Sequence, residues 1–553
     1  MGVVWSGPQR WVLLVLSGAL GLTGAGMMPA GAAEPKPPKP PKTAVVGTIW
    51  GDHRADEVAL DLYDKNDARA DPGSLFTITN AIGAREVWRD KDTRGRAVTG
   101  QGVTVAVLDS GVAAVPGLNA PGKVVRGPDL SLEANSDIVL AEDSFGHGTH
   151  IGSIIAGKDA VEVDAKSGAP KADDASKQLG VAPDAQLLAL KLASTDGSTD
   201  VSQVIAALDW VSQHRTDNGM NVRVVNLSFG TSSLQAYQLD PLAAAAENAW
   251  HRGLVVVVSG GNGGAKASSL TDPAIDPYVI AVGSSDPNNK VDGWRKHPRV
   301  ADYSSRGTAD RHVDLLAPGR SVVGLRDPGS YVDVNNPQGL VAGDGAGRLF
   351  RGSGTSQAAA VVSGAVALLL QAYPQLTPDQ VKAALVSTAR DIKSADPVDE
   401  GAGQLDVHDA LEAAKKALDA RDPSGTLLAA QQEYPLAAGT GSLEEARGGA
   451  VLVDPATGDV LAGEVDVQGV PWDAPAWAQQ SAAGTSWSGG LWSRARWSGD
   501  GWTNQGWARA RWSGTSWSRA RWSDLSWDGA RWSRARWSDA AWERARWSGT
   551  AWS

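Results

Sequence analysis

FRGSGTSQAAAVVSGAVALLL, residues 350 to 370, is the stretch that decides the fold. Ser356 follows four small residues and precedes an apolar run, Ala358 to Leu370, that carries no charge. Small residues allow a tight turn and the close approach of another backbone, and a charge-free apolar run indicates a helix buried on all sides. The run is shorter than the roughly 18 apolar residues of a membrane span. We therefore expect Ser356 at or just before the N-terminus of a buried helix, where free N–H groups favour a developing anion; an ordinary serine cap is the alternative.

Composition limits the classes of protein that fit. The chain has 553 residues, enough for two or more domains. Its net charge of −11 argues against a nucleic-acid binder. It has no cysteine, which excludes disulfides, thiol catalysis and cysteine-ligated metals.

The N-terminal region predicts export. Residues 1–33 have the apolar segment and small-residue cleavage site of a signal peptide; a retained anchor is the alternative. Residues 34–79 form a Pro/Lys spacer, EPKPPKPPK, and a short mixed segment that is either a removed propeptide or a cover on the main domain. We expect a secreted protein without a transmembrane anchor once the signal is removed.

Residues 80–418 alternate between apolar, β-branched runs and helical patterns. Such alternation predicts an α/β fold, a doubly wound and mostly parallel sheet. The predicted strands are 103–108, 185–192, 222–226, 254–258 and 278–282. The predicted helices are 148–157, 201–214, 241–253, 378–388 and 407–418. Two polar insertions, 158–177 and 335–347, are predicted to be surface loops.

Four polar side chains stand at the ends of these elements. Asp109 ends the first buried strand, and His147 starts a helix between two glycines. Asn262 lies in a glycine-rich loop after another strand, and Ser356 is the fourth. A serine hydroxyl becomes a nucleophile when a base takes its proton, an acid orients that base, and donors hold the oxyanion. The chain offers one candidate for each role, although each residue taken alone is more often a cap or a turn.

These stretches resemble the subtilisin-like serine proteases (subtilases) over roughly residues 80–418. VAVLDSGV is similar to the family's aspartate motif, GHGTHIGSIIAG to its histidine motif, SGTSQAAA to its serine motif and VVVVSGGNGG to its oxyanion loop. VVNLSFG, DPYVIAVGSSD, YSSRG, DLLAPG and GAGQLDV are supporting matches. The resemblance implies a subtilisin-like fold and a serine endopeptidase that acts on protein or peptide substrates.

The resemblance also implies roles for individual residues. Asp109 would orient His147, which would take the proton from Ser356, and Asn262 with the Ser356 N–H would hold the oxyanion. The segment Ser228, Phe229 and Gly230 would pair with the substrate backbone and form one wall of the S1 pocket. His150 is expected to be structural.

The sequence departs from the family at Gln357 and Ala360, where Met and Pro are usual, and in the short segment before residue 80. Neither substitution removes a catalytic group, but the short segment puts autocatalytic maturation in doubt. Catalysis would need no cofactor. Structural calcium is common in the family, yet the sequence has no dense carboxylate loop that indicates it.

The C-terminal part differs in composition. Residues 419–470 are a connecting segment in which 449–467 is predicted to form a hairpin. In residues 471–553 tryptophan recurs at every fifth position from Trp487 to Trp552. A period of five fits no helix face, so ordered β repeats and low-complexity disorder are the alternatives.

Two functions of different classes fit these patterns. The first is a secreted serine endopeptidase with an Asp-His-Ser triad and an acyl-enzyme intermediate, whose Trp-rich tail binds a cell-wall or other surface polymer. The alternative is a cell-surface binding protein in which the tail carries the function and the α/β domain is a scaffold. We expect no nucleic-acid partner in either case.

Overall fold

The computed structural model describes a defined part of the chain. The described residues are 68–134, 142–171, 174–267, 269–288, 290, 292–341, 343–393, 395–419, 425–449, 452, 460–488, 491–492, 495–498, 511–512, 526–527 and 530–531. The predicted signal peptide and the Pro/Lys spacer therefore lie outside the described residues, as do most of the Trp-rich pentads.

Helices and strands alternate along the chain. The α-helices are α1 Leu75–Ala81, α2 Ala84–Val87, α3 His147–Ala156, α4 Val201–His214, α5 Pro241–His251, α6 Gly293–Lys296, α7 Tyr331–Asn335, α8 Thr355–Ala372, α9 Pro378–Ser387, α10 Pro397–Glu400, α11 Val407–Leu418, α12 Leu443–Arg447 and α13 Ala474–Ala483. The strands of the main sheet are β1 Thr104–Asp109, β2 Val124–Asp129, β3 Gln186–Lys191, β4 Val222–Leu227, β5 Val255–Ser259, β6 Ile280–Asp286, β7 Arg299–Val300 and β8 Leu315–Pro318. The short strands outside it are β9 Val322–Leu325, β10 Leu349–Gly352, β11 Trp487–Ser488, β12 Leu491–Trp492, β13 Ala495–Ser498, β14 Arg511–Trp512, β15 Ser526–Trp527 and β16 Ala530–Arg531.

The main sheet confirms the predicted fold class. Its strand order is β2-β3-β1-β4-β5-β6-β7, with β8 also paired to β6. Every pair is parallel except β6 with β7. The central strands β1 and β5 are buried along their whole length, as continuous apolar runs require. Parallel order brings the carboxyl ends of β1, β4 and β5 to one edge of the sheet, where sites of this architecture form.

Helix α8 is the centre of the core. It runs from Thr355 to Ala372, longer than the predicted apolar run, and all of it is buried. Its length and composition would suit a membrane span, but its burial inside the protein marks it as the core helix of the fold.

Capping explains why the predicted helices begin where they do. Asp200 starts α4 with a capping box, since its side chain accepts from Ser202 N while Gln203 reaches back to the Asp200 N–H. Thr377 starts α9 in the same way with Gln380 and is followed by a proline. Both helices were predicted at these starts.

The polar insertion at 158–177 contains no helix or strand among its described residues, as predicted. The second insertion, 335–347, begins with the last residue of α7 and contains a 3₁₀ turn at Pro337–Gly339. It separates β9 from β10, which pair antiparallel.

The described residues between 425 and 492 pack against the α/β body. Their apolar side chains join the same core cluster, among them Leu443, Ala446, Val467 and Trp477. The hairpin predicted at 449–467 falls partly outside the described residues; in the described part, Leu461 N donates to Leu452 O at 2.8 Å. The domain limits at 418 and 470 stay a prediction, and packing is continuous across both.

Three of the first tryptophans of the Trp-rich segment pack on helix α4. Trp477 Nε1 and Trp492 Nε1 donate to Asp209 Oδ2 at 2.9 and 2.8 Å, and Trp487 Nε1 donates to Ala206 O at 2.8 Å. Burial raises the pKa of Asp209, although these donors act in the opposite direction.

The described part of the tail contains short β strands. Strand pairs are antiparallel and close together in sequence: β11 with β12, β12 with β13, β13 with β14, and β15 with β16. Trp487 is paired with Trp492 and Trp497 with Trp512, so partners in the repeat meet across strands.

Candidate active site

Asp109 and His147 are brought together at the carboxyl edge of the sheet. Asp109 is the last residue of β1, and His147 is the first residue of α3. His147 Nδ1 lies 2.8 Å from Asp109 Oδ1 and 2.9 Å from Oδ2. Both side chains are buried, with 1% and 0% of their area exposed, so the contact is shielded from water.

Ser110 and Asp143 hold this pair in place. Asp143 accepts from Gly146 N at 2.6 Å and Thr149 N at 2.7 Å, which satisfies N–H groups at the start of α3. Ser110 Oγ lies 2.7 Å from Asp143 Oδ1 and accepts from Gly148 N. Asp143 was not singled out in the sequence, although an acidic residue shortly before a helix start is a capping signal.

Gly148 lets the two loops approach each other. A Cβ atom at this position would lie 2.0 Å from Gly111 O, a distance at which something must shift. Any larger residue here would therefore push α3, and His147 with it, away from Asp109.

Ser356 is the second residue of α8 and is 4% exposed. The alternative of a serine cap is wrong, because the N-cap residue is Gly354 and it makes no side-chain cap hydrogen bond. Ser356 instead lies in the first turn of a fully buried helix, where backbone N–H groups have no partner within the helix.

Asn262 is oriented by the residue before Ser356. Its Oδ1 accepts from Thr355 N at 2.9 Å and from Thr355 Oγ1 at 3.0 Å. Thr355 Oγ1 in turn accepts from Gly261 N at 3.3 Å. The amide oxygen of Asn262 is thus occupied by Thr355, which leaves the Nδ2 group as the donor available elsewhere. Thr355 was also missed in the sequence analysis, where it counted only as a small residue.

Two N–H donors lie close to Gly354. A Cβ atom at Gly354 would lie 3.6 Å from Asn262 Nδ2, 3.7 Å from Ser356 N and 2.8 Å from Gln357 Oε1. Any side chain at position 354 would therefore crowd both donors and the Gln357 amide. Two N–H donors near each other are the groups that an oxyanion requires.

Ser228, Phe229 and Gly230 follow β4 at the same edge of the sheet. Ser228 Oγ lies 3.1 Å from Asn226 Nδ2, and Phe229 is 2% exposed. Cβ atoms at Gly230 and Gly261 would lie 2.4 Å and 2.9 Å from side-chain atoms of Thr271. Thr271 therefore lies between the 228–230 segment and the loop that carries Asn262.

His150 lies one turn after His147 on α3 and is 3% exposed. Its Nε2 is 3.2 Å from Phe350 O. Burial lowers the pKa of His150 to about 4, and the nearby His147 adds to this effect. A neutral, buried imidazole that contacts the backbone fits a packing role.

Gln357, the first departure from the family pattern, is 1% exposed. Its side chain lies against the turn before Ser356, because Cβ atoms at Gly352 and Gly354 would be 2.9 Å and 2.8 Å from its amide atoms. The second departure, Ala360, is buried within α8.

Potential metal ligands meet at one place within the described part of the chain. Ligand atoms of Asp406, His408 and Asp409 lie within 4.8 Å of one another. Asp406 caps α11 through Asp409 N and pairs with Arg390 at 3.2 Å. The helix cap and the ion pair explain why Asp406 lies at the start of α11. The expectations about calcium and cofactors stay predictions.

Comparison with known proteins identifies the family of this chain. The model of the subtilase family matches residues 100–415. Serine protease AprX of Bacillus subtilis (strain 168) is 34% identical over 343 residues, which cover 61% of this chain and 71% of the relative. Subtilisin BL of Lederbergia lenta is 32% identical over 300 residues, 54% of this chain and 87% of the relative. Subtilisin DY of Bacillus licheniformis is 30% identical over 299 residues, 53% and 85% of the two chains. The chain belongs to the subtilase family and is a serine-type endopeptidase, a hydrolase of protein or peptide substrates.

Proposed function

We propose that the chain is a secreted endopeptidase that cleaves peptide bonds through Asp109, His147 and Ser356 by way of an acyl-enzyme. The observation that carries this proposal is the buried contact of 2.8 Å between His147 Nδ1 and Asp109 Oδ1. A carboxylate on Nδ1 keeps the proton there and leaves Nε2 as the base.

The first half of the reaction forms the ester. His147 Nε2 takes the proton from Ser356 Oγ while Oγ attacks the carbonyl carbon of the substrate. The carbonyl oxygen becomes an oxyanion that accepts from Asn262 Nδ2 and Ser356 N, the two donors beside Gly354. The C–N bond then breaks, and the leaving amine takes the proton from His147.

The second half reverses these roles. A water molecule gives its proton to His147 Nε2 and attacks the ester carbon, and the same donors hold the oxyanion. The bond to Ser356 Oγ breaks, Oγ recovers the proton and the carboxylic acid leaves. No step requires a cofactor.

The substrate backbone is proposed to pair with Ser228–Gly230 as an added strand. The position of this segment after β4, beside the strands that lead to Asp109 and Asn262, supports that role.

The N-terminal sequence supports the proposal that the protein is exported. The Trp-rich tail supports the proposal that it attaches to a surface polymer. Trp477, Trp487 and Trp492 are packed on α4, so the pentads after residue 498 are the ones proposed to contact such a polymer. Retention of the full chain on cell wall, compared with a chain ending at Ser498, tests this role. Equal retention of both chains would contradict it.

The decisive experiment compares the parent chain with Ser356→Ala. We expect the parent to hydrolyse a protein substrate and to be labelled by a fluorophosphonate on Ser356, and the variant to do neither. Ser363→Ala is the matched control, because Ser363 lies on the same helix two turns away and its Oγ donates to Asn226 Oδ1. Labelling that persists in Ser356→Ala, or a folded parent without hydrolysis, would contradict the proposal and favour the scaffold alternative.

A further inference from the structure

The segment that follows the proposed substrate-binding strand is held by residues far away in the chain. After Gly230 the chain runs through residues 231–240 before α5 begins. Thr231 Oγ1 donates to Ala446 O at 2.6 Å, and Leu234 N donates to Glu445 O at 3.0 Å. Both acceptors belong to α12, outside residues 100–415 that match the family.

A second pair of bonds joins the same two segments. Gln235 Nε2 donates to Ser442 O at 2.7 Å, and Ser442 N donates to Gln235 Oε1 at 3.0 Å. We call residues Ser442–Gly448 the brace. A Cβ atom at Gly448 would lie 2.1 Å from Ser232 O, so the two backbones touch with no space between them.

The brace is itself fixed to the body of the enzyme. Arg447 is 1% exposed, and its Nε lies 2.7 Å from Asp200 Oδ2. Asp200 caps α4, so the brace is tied to the start of that helix. Buried, charge-assisted hydrogen bonds of this kind hold a narrow geometry.

The residue after the substrate-binding segment also bonds to the main domain. Thr231 and Asp272 exchange two backbone hydrogen bonds, of 3.1 Å and 2.8 Å. Thr231 is therefore held by two partners: its backbone bonds to Asp272, and its side chain bonds to the brace. Gly230 is the next residue along the chain.

We propose that the brace is a positioning element of the active site, which holds Ser228–Gly230 in the geometry that pairs with a peptide. The inference rests on the proposed function, because that function supplies the role of Ser228–Gly230. It adds that this chain needs a segment beyond the family's matched region to bind extended substrates well. The brace bonds to residues 231, 234 and 235, directly after the binding strand, whereas Asp109, His147 and Ser356 lie on β1, α3 and α8. We therefore expect it to act on substrate binding and not on the chemistry.

The test uses full-length Thr231→Val, which keeps the side-chain shape and removes the bond to Ala446, and the double variant with Gln235→Ala. The substrate is a blocked tetrapeptide p-nitroanilide that the parent cleaves, and the second probe is a small fluorophosphonate that reacts with Ser356 without filling an extended site. One neutral hydrogen bond corresponds to about a five-fold change in an equilibrium constant. We expect KM to rise about five-fold in the single variant and further in the double variant, with kcat within about two-fold.

The fluorophosphonate labelling rate should stay at the parent value in both variants. Thr388→Val is the matched control, since its Oγ1 also donates to a backbone carbonyl, Ala384 O at 2.8 Å, but in α9. The control should leave KM unchanged. An unchanged KM in the folded double variant, or a labelling rate that falls in step with kcat/KM, would overturn the proposal. A parent that neither cleaves peptide nor labels at Ser356 would instead overturn the proposed function, and this inference with it.

Discussion

Asn262→Ala tests the oxyanion site most directly. In the structure Asn262 Oδ1 accepts two hydrogen bonds from Thr355, at 2.9 and 3.0 Å, which leave Nδ2 on the side of Gly354. Alanine removes that donor while Asp109, His147 and Ser356 keep their positions. The oxyanion exists only after attack on the carbonyl, so the lost bond belongs to the transition state and not to bound substrate.

We expect Asn262→Ala to lower kcat strongly and to leave KM nearly unchanged. Removing an oxyanion donor lowers kcat by about 10²–10³, or about 2.7–4 kcal/mol, a magnitude established for subtilisin, a relative of this chain. KM should change little. Thr355→Val should give a smaller effect, because it removes the 3.0 Å bond to Asn262 and the 3.3 Å bond from Gly261 N but keeps the 2.9 Å bond from the Thr355 backbone to Asn262. Loss of the neutral bond to Asn262 predicts about a five-fold fall in kcat.

The assay is steady-state hydrolysis of a peptide p-nitroanilide, with thermal unfolding to confirm that each variant is folded. A kcat for Asn262→Ala within about three-fold of the parent would refute the assignment of Asn262 as an oxyanion donor. A raised KM with constant kcat would refute it too, since that pattern marks loss of ground-state binding. A Thr355→Val effect as large as that of Asn262→Ala would contradict the orientation argument.

Two further predictions concern pH and stability. The pKa of His150 is about 4 in the fold and 6.5 without it, so protonation favours the unfolded chain and stability should fall as pH drops from 6.5 to 4. His150→Gln should remove up to about 3 kcal/mol of this fall in the free energy of unfolding, measured by denaturant unfolding at both pH values. If the free energy of unfolding of the variant depends on pH as it does in the parent, His150 is not the group that titrates. Burial, with Asp240 nearby, raises the pKa of Asp272 well above its usual value, so the parent should lose stability as pH rises above about 4. Asp272→Asn should therefore stabilise the protein more at pH 8 than at pH 5, and an advantage independent of pH would show that Asp272 does not titrate in this way.

The elements predicted well from the sequence are those with local signals. Helix α4 was predicted with the bounds found in the structure, and the capping box of Asp200 and Gln203 is a local signal of the same start. The buried strand β1 was predicted within one residue, because β-branched apolar residues fill it. A role could be predicted for each of the four candidate residues because each lies at or shortly after the end of a predicted strand or at the start of a predicted helix.

Elements that depend on distant partners were missed. Strand β2, VVRGPD, contains a proline and an exposed residue, so its pattern does not resemble that of a buried strand. Among the described strands it pairs with β3 alone and lies at the edge of the sheet, where such residues are tolerated. Asp143 and Thr355 were missed as positioning residues, because a cap or a small residue acquires its role only when a second loop lies against it.

The Trp-rich segment shows where a periodic pattern stops being informative. Trp477, Trp487 and Trp492 share their spacing with every later pentad, yet they are buried on α4. Their acceptors Ala206, Asp209 and Gln213 stand three and four residues apart on α4 and so form one stripe of that helix.

That stripe explains a feature of α4 that the catalytic domain alone does not. Most of α4 is buried, Asp209 included, although a helix on the face of a sheet normally leaves one side in water. Arg447 covers the start of the helix and the tryptophans cover its outer stripe, so one helix carries both the brace and the first pentads. A buried carboxylate is stable only with donors, and the donors of Asp209 come from Trp477, Ser481 and Trp492. The described residues from 425 to Trp492 are therefore part of the folded enzyme, and the first tryptophans of the repeat belong to its core.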